Sequence, residues 1–265
     1  MRVDLAAETP LADRVHLLSA EEIHAVNVAL FAGRPLLVRG EPGTGKSQLA
    51  RAAAKVLDRA FIPYVIDSRT ESRDLLWTFD AVKRLADAQI MGALSADPQS
   101  ARAELAVDNY LHPGPLWWAF AWEEAEKQGE RVGATPPPQR DGGSWKQGCV
   151  ILLDEIDKAE SEVPNGLLEA LGAREFTPLG RSAPVRAIGM APLVIITTNE
   201  ERSLPEAFLR RCMVLFLNLP AETGPLIDFL MTRGRAHFPQ LTEPVWRKAA
   251  EMLAADRRTA MEAQV

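Results

Sequence analysis

The chain has 265 residues, 47% of them hydrophobic and 25% charged, a globular composition with enough apolar material for one large domain or a core with a smaller companion. A net charge of −6 speaks against a surface given over to nucleic acid, and two cysteines with four scattered histidines speak against a disulfide framework or a zinc site. No apolar run is long enough to span a bilayer and the first eight residues carry no secretory apolar core, so the chain reads as soluble and cytoplasmic.

Residues 19–32 open with Ser-Ala-Glu-Glu, an N-cap followed by first-turn acids, and then place Ile23, Val26, Leu30 and Phe31 at helical spacing. An apolar strand at 35–38 leads through a glycine-rich turn into a helix at 46–57, and a second strand follows at 61–66. From Lys46 to Asp154 the interval far exceeds the roughly 30 residues that each strand-plus-helix unit needs, so material is inserted at about 68–148. Within it, residues 68–91 carry Leu75, Leu76, Phe79, Val82 and Leu85 in an amphipathic pattern expected to form an ordered helical projection. Residues 112–126 read as a turn and a helix whose Trp117, Trp118, Phe120 and Trp122 belong to core packing, and residues 128–148 have the composition of a mobile loop.

Beyond the insertion, a buried strand ending at Asp154 precedes a helix at 162–171 and a hairpin at 175–190. A strand at 193–198, a short helix at 205–211 and a last strand at 213–217 complete an alternation that predicts an α/β fold with a parallel sheet covered on both faces. From 221 onward only helical patterns remain, at 225–233 and 243–255, which suggests a core over 1–220 followed by a small helical region over 221–265.

Gly40, Glu41, Pro42, Gly43, Thr44, Gly45, Lys46 and Ser47 form a complete phosphate-binding loop set between a strand and a helix, the context that gives such a match its meaning. Glycines let backbone N–H groups approach phosphate, the helix N-terminus favours negative charge, Lys46 neutralises it, and the Ser47 hydroxyl suits magnesium. Asp154 ends a buried strand, where open α/β sheets bind ligands, and Glu155 lies one residue farther; Asp154 is expected to hold magnesium and Glu155 to polarise an attacking water. Asn199 ends another apolar strand and is placed to orient the same water.

These residues, with Thr-Thr-Asn at 197–199 and Leu-Pro-Glu-Ala-Phe-Leu-Arg-Arg-Cys at 204–212, resemble an AAA+ ATPase. Leu-Leu-Asp-Glu-Ile-Asp-Lys-Ala-Glu at 152–160 and Val-Pro-Asn-Gly-Leu-Leu-Glu-Ala-Leu at 163–171 are similar to its MoxR-type branch, over roughly residues 21–220. The resemblance implies a P-loop core with a five-stranded parallel sheet, a helix-2 insertion at 68–91, a pre-sensor hairpin at 175–190 and a helical lid. It further implies a homo-oligomeric ring, usually of six, with ATP and Mg2+ between neighbours. On that pattern Lys46 and Ser47 are the Walker A pair, Asp154 and Glu155 the Walker B pair, Asn199 sensor 1, and Arg210 or Arg211 the arginine finger. A protein client follows, in the family often reached through an adaptor with a von Willebrand-like domain. The family's lid normally has four helices and a second sensor arginine; here only Arg257 and Arg258 offer themselves, in a context that reads as a solvated helix end. Two functions follow: an ATPase that remodels a partner, or a nucleotide-gated scaffold with little turnover that recruits an effector, for example in bacterial defence or signalling. A nucleic-acid motor would need a basic stripe that the sequence lacks.

Overall fold

A computed structural model describes residues 1–6, 14–93 and 97–262; residues 263–265 of the expected helical region lie outside the described residues. Two short strands, β1 (Arg2–Leu5) and β2 (Arg14–Leu17), pair antiparallel ahead of α1 (Ala20–Ala32). Helix α1 starts as its sequence requires, with a reciprocal capping box between Ser19 and Glu22, and stops at Gly33 in the left-handed conformation. Its expected apolar face is only partly used: Val26 is buried, while Ile23 and Phe31 are exposed, because the helix lies over the sheet margin and covers it with one stripe.

Strand β3 (Leu36–Arg39), helix α2 (Lys46–Val56) and strand β4 (Arg59–Val65) follow the expected order. The expected single helix at 68–91 is instead three elements: a 3-10 turn at Ser72–Leu75, strand β5 (Trp77–Phe79) and helix α3 (Ala81–Ala93). The pairing of β5 with β6 (Leu111–Pro113) overrides the local helical period, since backbone bonds to a distant strand fix residues 77–79 extended. Helix α4 (Pro98–Glu104) lies between them. The aromatic stretch forms two helices, α5 (Pro115–Phe120) and α6 (Trp122–Val132), and Trp117, Trp118, Phe120 and Trp122 are all buried, as core packing predicts. Helix α6 continues through Gln128, whose buried amide donates to the Asp108 and Leu111 carbonyls, so the expected loop shrinks to 133–143. Even that loop is fastened: the Gln139 side-chain amide accepts from the Phe61 N–H at 2.7 Å and donates to its carbonyl at 3.0 Å.

The remaining elements are β7 (Ser144–Asp154), α7 (Glu162–Ala173), the hairpin β8 (Glu175–Phe176) with β9 (Val185–Arg186), β10 (Leu193–Thr198), α8 (Glu206–Leu209), β11 (Met213–Phe216), α9 (Thr223–His237) and α10 (Glu243–Glu262). The central sheet runs β11-β3-β10-β7-β4 with every pairing parallel, the α/β fold expected. Alternation builds two cores from the same strands. Leu36, Val38, Val150, Leu152, Leu193 and Ile195 face α1, α2 and the β1–β2 pair, while Leu37, Ile151, Leu153, Val194 and Ile196 face α5, α6 and α7. Arg181 secures the β8–β9 hairpin: it donates to Asp108, Glu124 and Gln128 at 2.7–2.8 Å and lies over the Trp117 ring at 4.8 Å. No helix among the described residues is long and apolar enough to cross a membrane.

Candidate active site

The parallel sheet brings the C-terminal ends of β3, β7 and β10 side by side, and the expected site residues follow from those three ends. After β3 the backbone turns through Gly40, Gly43 and Gly45, all at positive φ, into the N-terminus of α2. Gly40 is irreplaceable sterically, since a Cβ there would stand 2.3 Å from the Leu217 carbonyl oxygen. Such a turn aims successive N–H groups into one concavity, an anion nest at a helix N-terminus. Lys46 reaches back across it and donates to the Gly40 and Glu41 carbonyls at 2.6 and 2.9 Å and to Asn199 Oδ1 at 2.8 Å. Burial lowers its pKa from the ordinary lysine value, against the opposing pull of Asp154, Asp157, Glu155 and Glu200.

Ser47 Oγ lies 2.9 Å from both Asp154 carboxylate oxygens. A hydroxyl and a carboxylate so close are the hard oxygen donors that magnesium takes, and beside the glycine nest they fit a magnesium nucleotide. Thr197, 1% exposed, donates to Asp154 Oδ1 at 2.5 Å and accepts the Glu155 N–H at 2.9 Å, so one hydroxyl on β10 sets both the acid that ends β7 and the acid that follows it. Glu155 itself sits at φ 63°, a left-handed conformation that a non-glycine residue keeps only when its surroundings impose it. Its Oε1 accepts from Asn199 Nδ2 at 3.3 Å and its Oε2 from Lys158 at 2.7 Å, a bond that raises the Lys158 pKa. Asn199 thus joins Lys46 to Glu155, and its two partners fix which way its amide faces.

The resulting cleft of 470 Å³ is lined by Pro42, Gly43, Gly45, Lys46, Ser47, Asp154, Glu155 and Asn199 from the expected set, with Arg233 and His237 from α9. Arg210 and Arg211 are exposed at the C-terminal end of α8, outside that lining, with Arg210 paired to Glu206 at 2.9 Å.

A family comparison settles the class: residues 35–212, about two thirds of the chain, match the AAA domain, dynein-related subfamily. The chain belongs to that family. The matched region of this AAA domain contains the phosphate loop, both acids, Asn199 and the α8 arginines. No curated protein matches the sequence significantly. Among solved structures, a candidate ATPase from Cytophaga hutchinsonii is similar at a TM-score of 0.45 and 16% identity, over 79% of this chain and 48% of that one. NtrX from Brucella abortus is similar at a TM-score of 0.42 and 14% identity, over 84% of this chain and 42% of that one. The AAA domain chain therefore spans less than half the length of these two structures.

Several contacts in this AAA domain escape sequence reasoning. Arg257, read as solvated, forms a forked ion pair with Glu41 of the phosphate loop, with Nη2 to Oε1 at 2.5 Å, and this pair holds the Glu41 carboxyl below its ordinary pKa. Asp157 is 2% exposed and accepts the Glu201 N–H, a third acid behind the site. His16 is buried beside Gly45, with Nε2 against Glu22 Oε1 at 3.0 Å and no partner for Nδ1. The spacing of Asp-Glu-Ile-Asp announces Asp157, but nothing local in sequence announces contacts made from α9, α10 and β2.

Proposed function

We propose that the chain is a MoxR-type ATP hydrolase that binds Mg-ATP between neighbouring copies of itself, in a ring of six, and uses turnover to remodel a protein partner in the cytoplasm. The observation that carries this reading is the Lys46–Asn199–Glu155 chain of contacts, which sets a carboxylate and an amide beyond the phosphate nest, where a water attacking a terminal phosphate would stand. Glycine-turn N–H groups and Lys46 would bind the phosphates, Ser47 and Asp154 would hold magnesium, and Glu155 would take the water's proton as Asn199 orients it. Magnesium, when bound, supplies charge neutralisation across the phosphates. Arg210 or Arg211 would act in a neighbour's cleft, because exposure at the edge of the domain suits a finger given in trans. Residues 221–265 would act as the lid, and an adaptor with a von Willebrand-like domain is the partner class that the MoxR resemblance favours.

One observation favours the alternative, a nucleotide-gated scaffold with slow turnover. Both Glu155 carboxylate oxygens are engaged, one by the Asn199 amide and the other by the Lys158 ammonium, which leaves neither of them open to an attacking water. Steady-state ATP hydrolysis against protein concentration, with mass measured in the same samples, separates the two. Turnover that rises with assembly and disappears in Glu155→Gln supports the hydrolase; tight binding and assembly without turnover supports the scaffold; no nucleotide binding rejects both.

A further inference from the structure

Asn199 is the first residue past β10, and its short amide must meet Lys46 and Glu155 at once. It keeps both partners only if its backbone is held still, yet the chain from 199 to 205 belongs to no helix or strand. Three contacts do the holding. The Glu201 N–H donates to the buried Asp157 carboxylate at 3.0 Å, and the Glu200 N–H donates to Thr198 Oγ1 at 3.0 Å. The Glu200 carboxylate accepts from Arg39 Nε at 2.5 Å. Glu200 itself stands at φ 65°, a left-handed backbone that a residue with a side chain keeps only when its surroundings impose it. The first two contacts use backbone N–H groups and would form with any side chain at 200. Only the third requires the glutamate.

Arg39 is placed for that reach. It ends β3, in register with Thr198 of β10 on one side and with Phe216 of β11 on the other. Its guanidinium lies 5.1 Å over the Phe216 ring, which sets its plane before it meets Glu200. The pair is partly exposed, so it contributes little to the stability of the fold. Its location gives it another use. Arg39 directly precedes Gly40, so one side-chain bridge joins the strand that feeds the phosphate loop to the turn that presents Asn199. Neither member of the bridge lines the nucleotide cleft; with Thr198 and Leu204 they line a separate hollow of 260 Å³.

We infer that Arg39 is a positioning residue for Asn199: acting through Glu200, it fixes the 199–201 turn so that the amide stays on Glu155 and Lys46. The inference rests on the hydrolase reading of the cleft. Arg39 touches no nucleotide in it. Its effect falls on the step in which water is oriented, while the glycine nest and Lys46 hold the phosphates. Misplacing such a group by about 1 Å lowers a rate by up to about a hundredfold.

The experiment measures steady-state ATP hydrolysis, affinity for a non-hydrolysable ATP analogue with Mg2+, and thermal melting of the full chain. The proteins are the parent, Arg39→Ala, Arg39→Lys, Glu200→Gly, the Arg39→Ala/Glu200→Gly double variant and Lys46→Ala. Arg39→Ala is expected to lower kcat about ten- to hundredfold, with the analogue's Kd within about threefold of the parent's and melting within about 4 °C. Glu200→Gly suits the left-handed backbone and lacks the carboxylate, so it should lose a similar factor in kcat and also melt within about 4 °C of the parent. The double variant should be no slower than the slower single one, because both changes remove one bridge. Arg39→Lys keeps the charge and loses the plane over Phe216, so it should recover part of kcat. A pair that only braced the fold would move melting and leave kcat alone. Parent-like kcat in Arg39→Ala, multiplicative losses in the double variant, or a loss of affinity as large as the loss of kcat overturns the inference. So does a parent that binds the analogue without hydrolysing ATP, which leaves nucleotide binding standing. A parent that binds no analogue, or Lys46→Ala that binds it normally, overturns the nucleotide reading as well.

Discussion

Thr197→Val isolates a single hydroxyl at constant shape. In the native site that hydroxyl donates to Asp154 Oδ1 and accepts the Glu155 N–H, in a position 1% exposed. Valine leaves the Glu155 N–H buried and unsatisfied, a cost of about 1–3 kcal/mol, and removes one charge-assisted bond worth about 1.5–3 kcal/mol. Ser47 still donates to Asp154 and the extra methyl gains about 0.8 kcal/mol of burial, so the net loss is about 2–5 kcal/mol. For a chain of this size that corresponds to a fall of roughly 4–20 °C in melting temperature. The same change removes the hydrogen bond that Glu155, at φ 63°, makes through its N–H, so the turnover proposed for the site should fall at least about tenfold. Calorimetry and a coupled hydrolysis assay measure both, with Thr197→Ser as the control that restores the hydroxyl. A valine variant that melts within about 1 °C of the parent and turns over normally refutes the claim that Thr197 sets the two acids.

Gly40→Ala should destabilise by about 3 kcal/mol and lose nucleotide binding, since its Cβ meets the Leu217 carbonyl, whereas Gly43→Ala, with open space around it, should cost about 1–2 kcal/mol; equal losses in denaturant unfolding would contradict the steric argument. The Glu41–Arg257 pair depresses the folded-state pKa of Glu41. Its contribution is therefore full above the unfolded value near 4.5 and is lost as pH falls through the folded value. Hydrogen exchange of α10 should accelerate only in that acid window, and Glu41→Gln should abolish the pH dependence while raising exchange at neutral pH. Burial pushes the thiols of Cys149 and Cys212 up to about 12, so neither should react with a thiol reagent at pH 8 in the folded chain, and both should react after unfolding. Rapid labelling under native conditions would contradict that burial.

What could be read from the residues, and what could not, divides by the range of the interactions. The central strands were legible because burial on both faces writes itself as runs such as Val150 to Leu153 and Leu193 to Ile196. The phosphate loop was legible because positive φ at Gly40, Gly43 and Gly45 demands glycine. Residues 68–91 misled because Leu75, Phe79 and Val82 fall at helical spacing, while their true arrangement depends on the Leu111–Pro113 strand. The β1–β2 pair went unseen for a similar reason: each strand has four residues, too few for alternation to declare itself. Arg233 and Arg257 were illegible as site residues because helical periodicity says which face of a helix is apolar, and not which distant loop a charge on it will meet.

The two margins of the central sheet are finished differently. At β4, the Gln139 side-chain amide occupies both outward hydrogen-bonding groups of Phe61, standing in for a single rung of a further strand. Another chain that tried to extend the sheet there would have to dislodge it, a protection against edge-to-edge aggregation achieved by one residue. At β11, Val214 and Phe216 remain exposed, and the sheet ends in apolar side chains. Aggregation by strand addition should therefore begin at β11, and a charged residue in place of Val214 is the change that would suppress it.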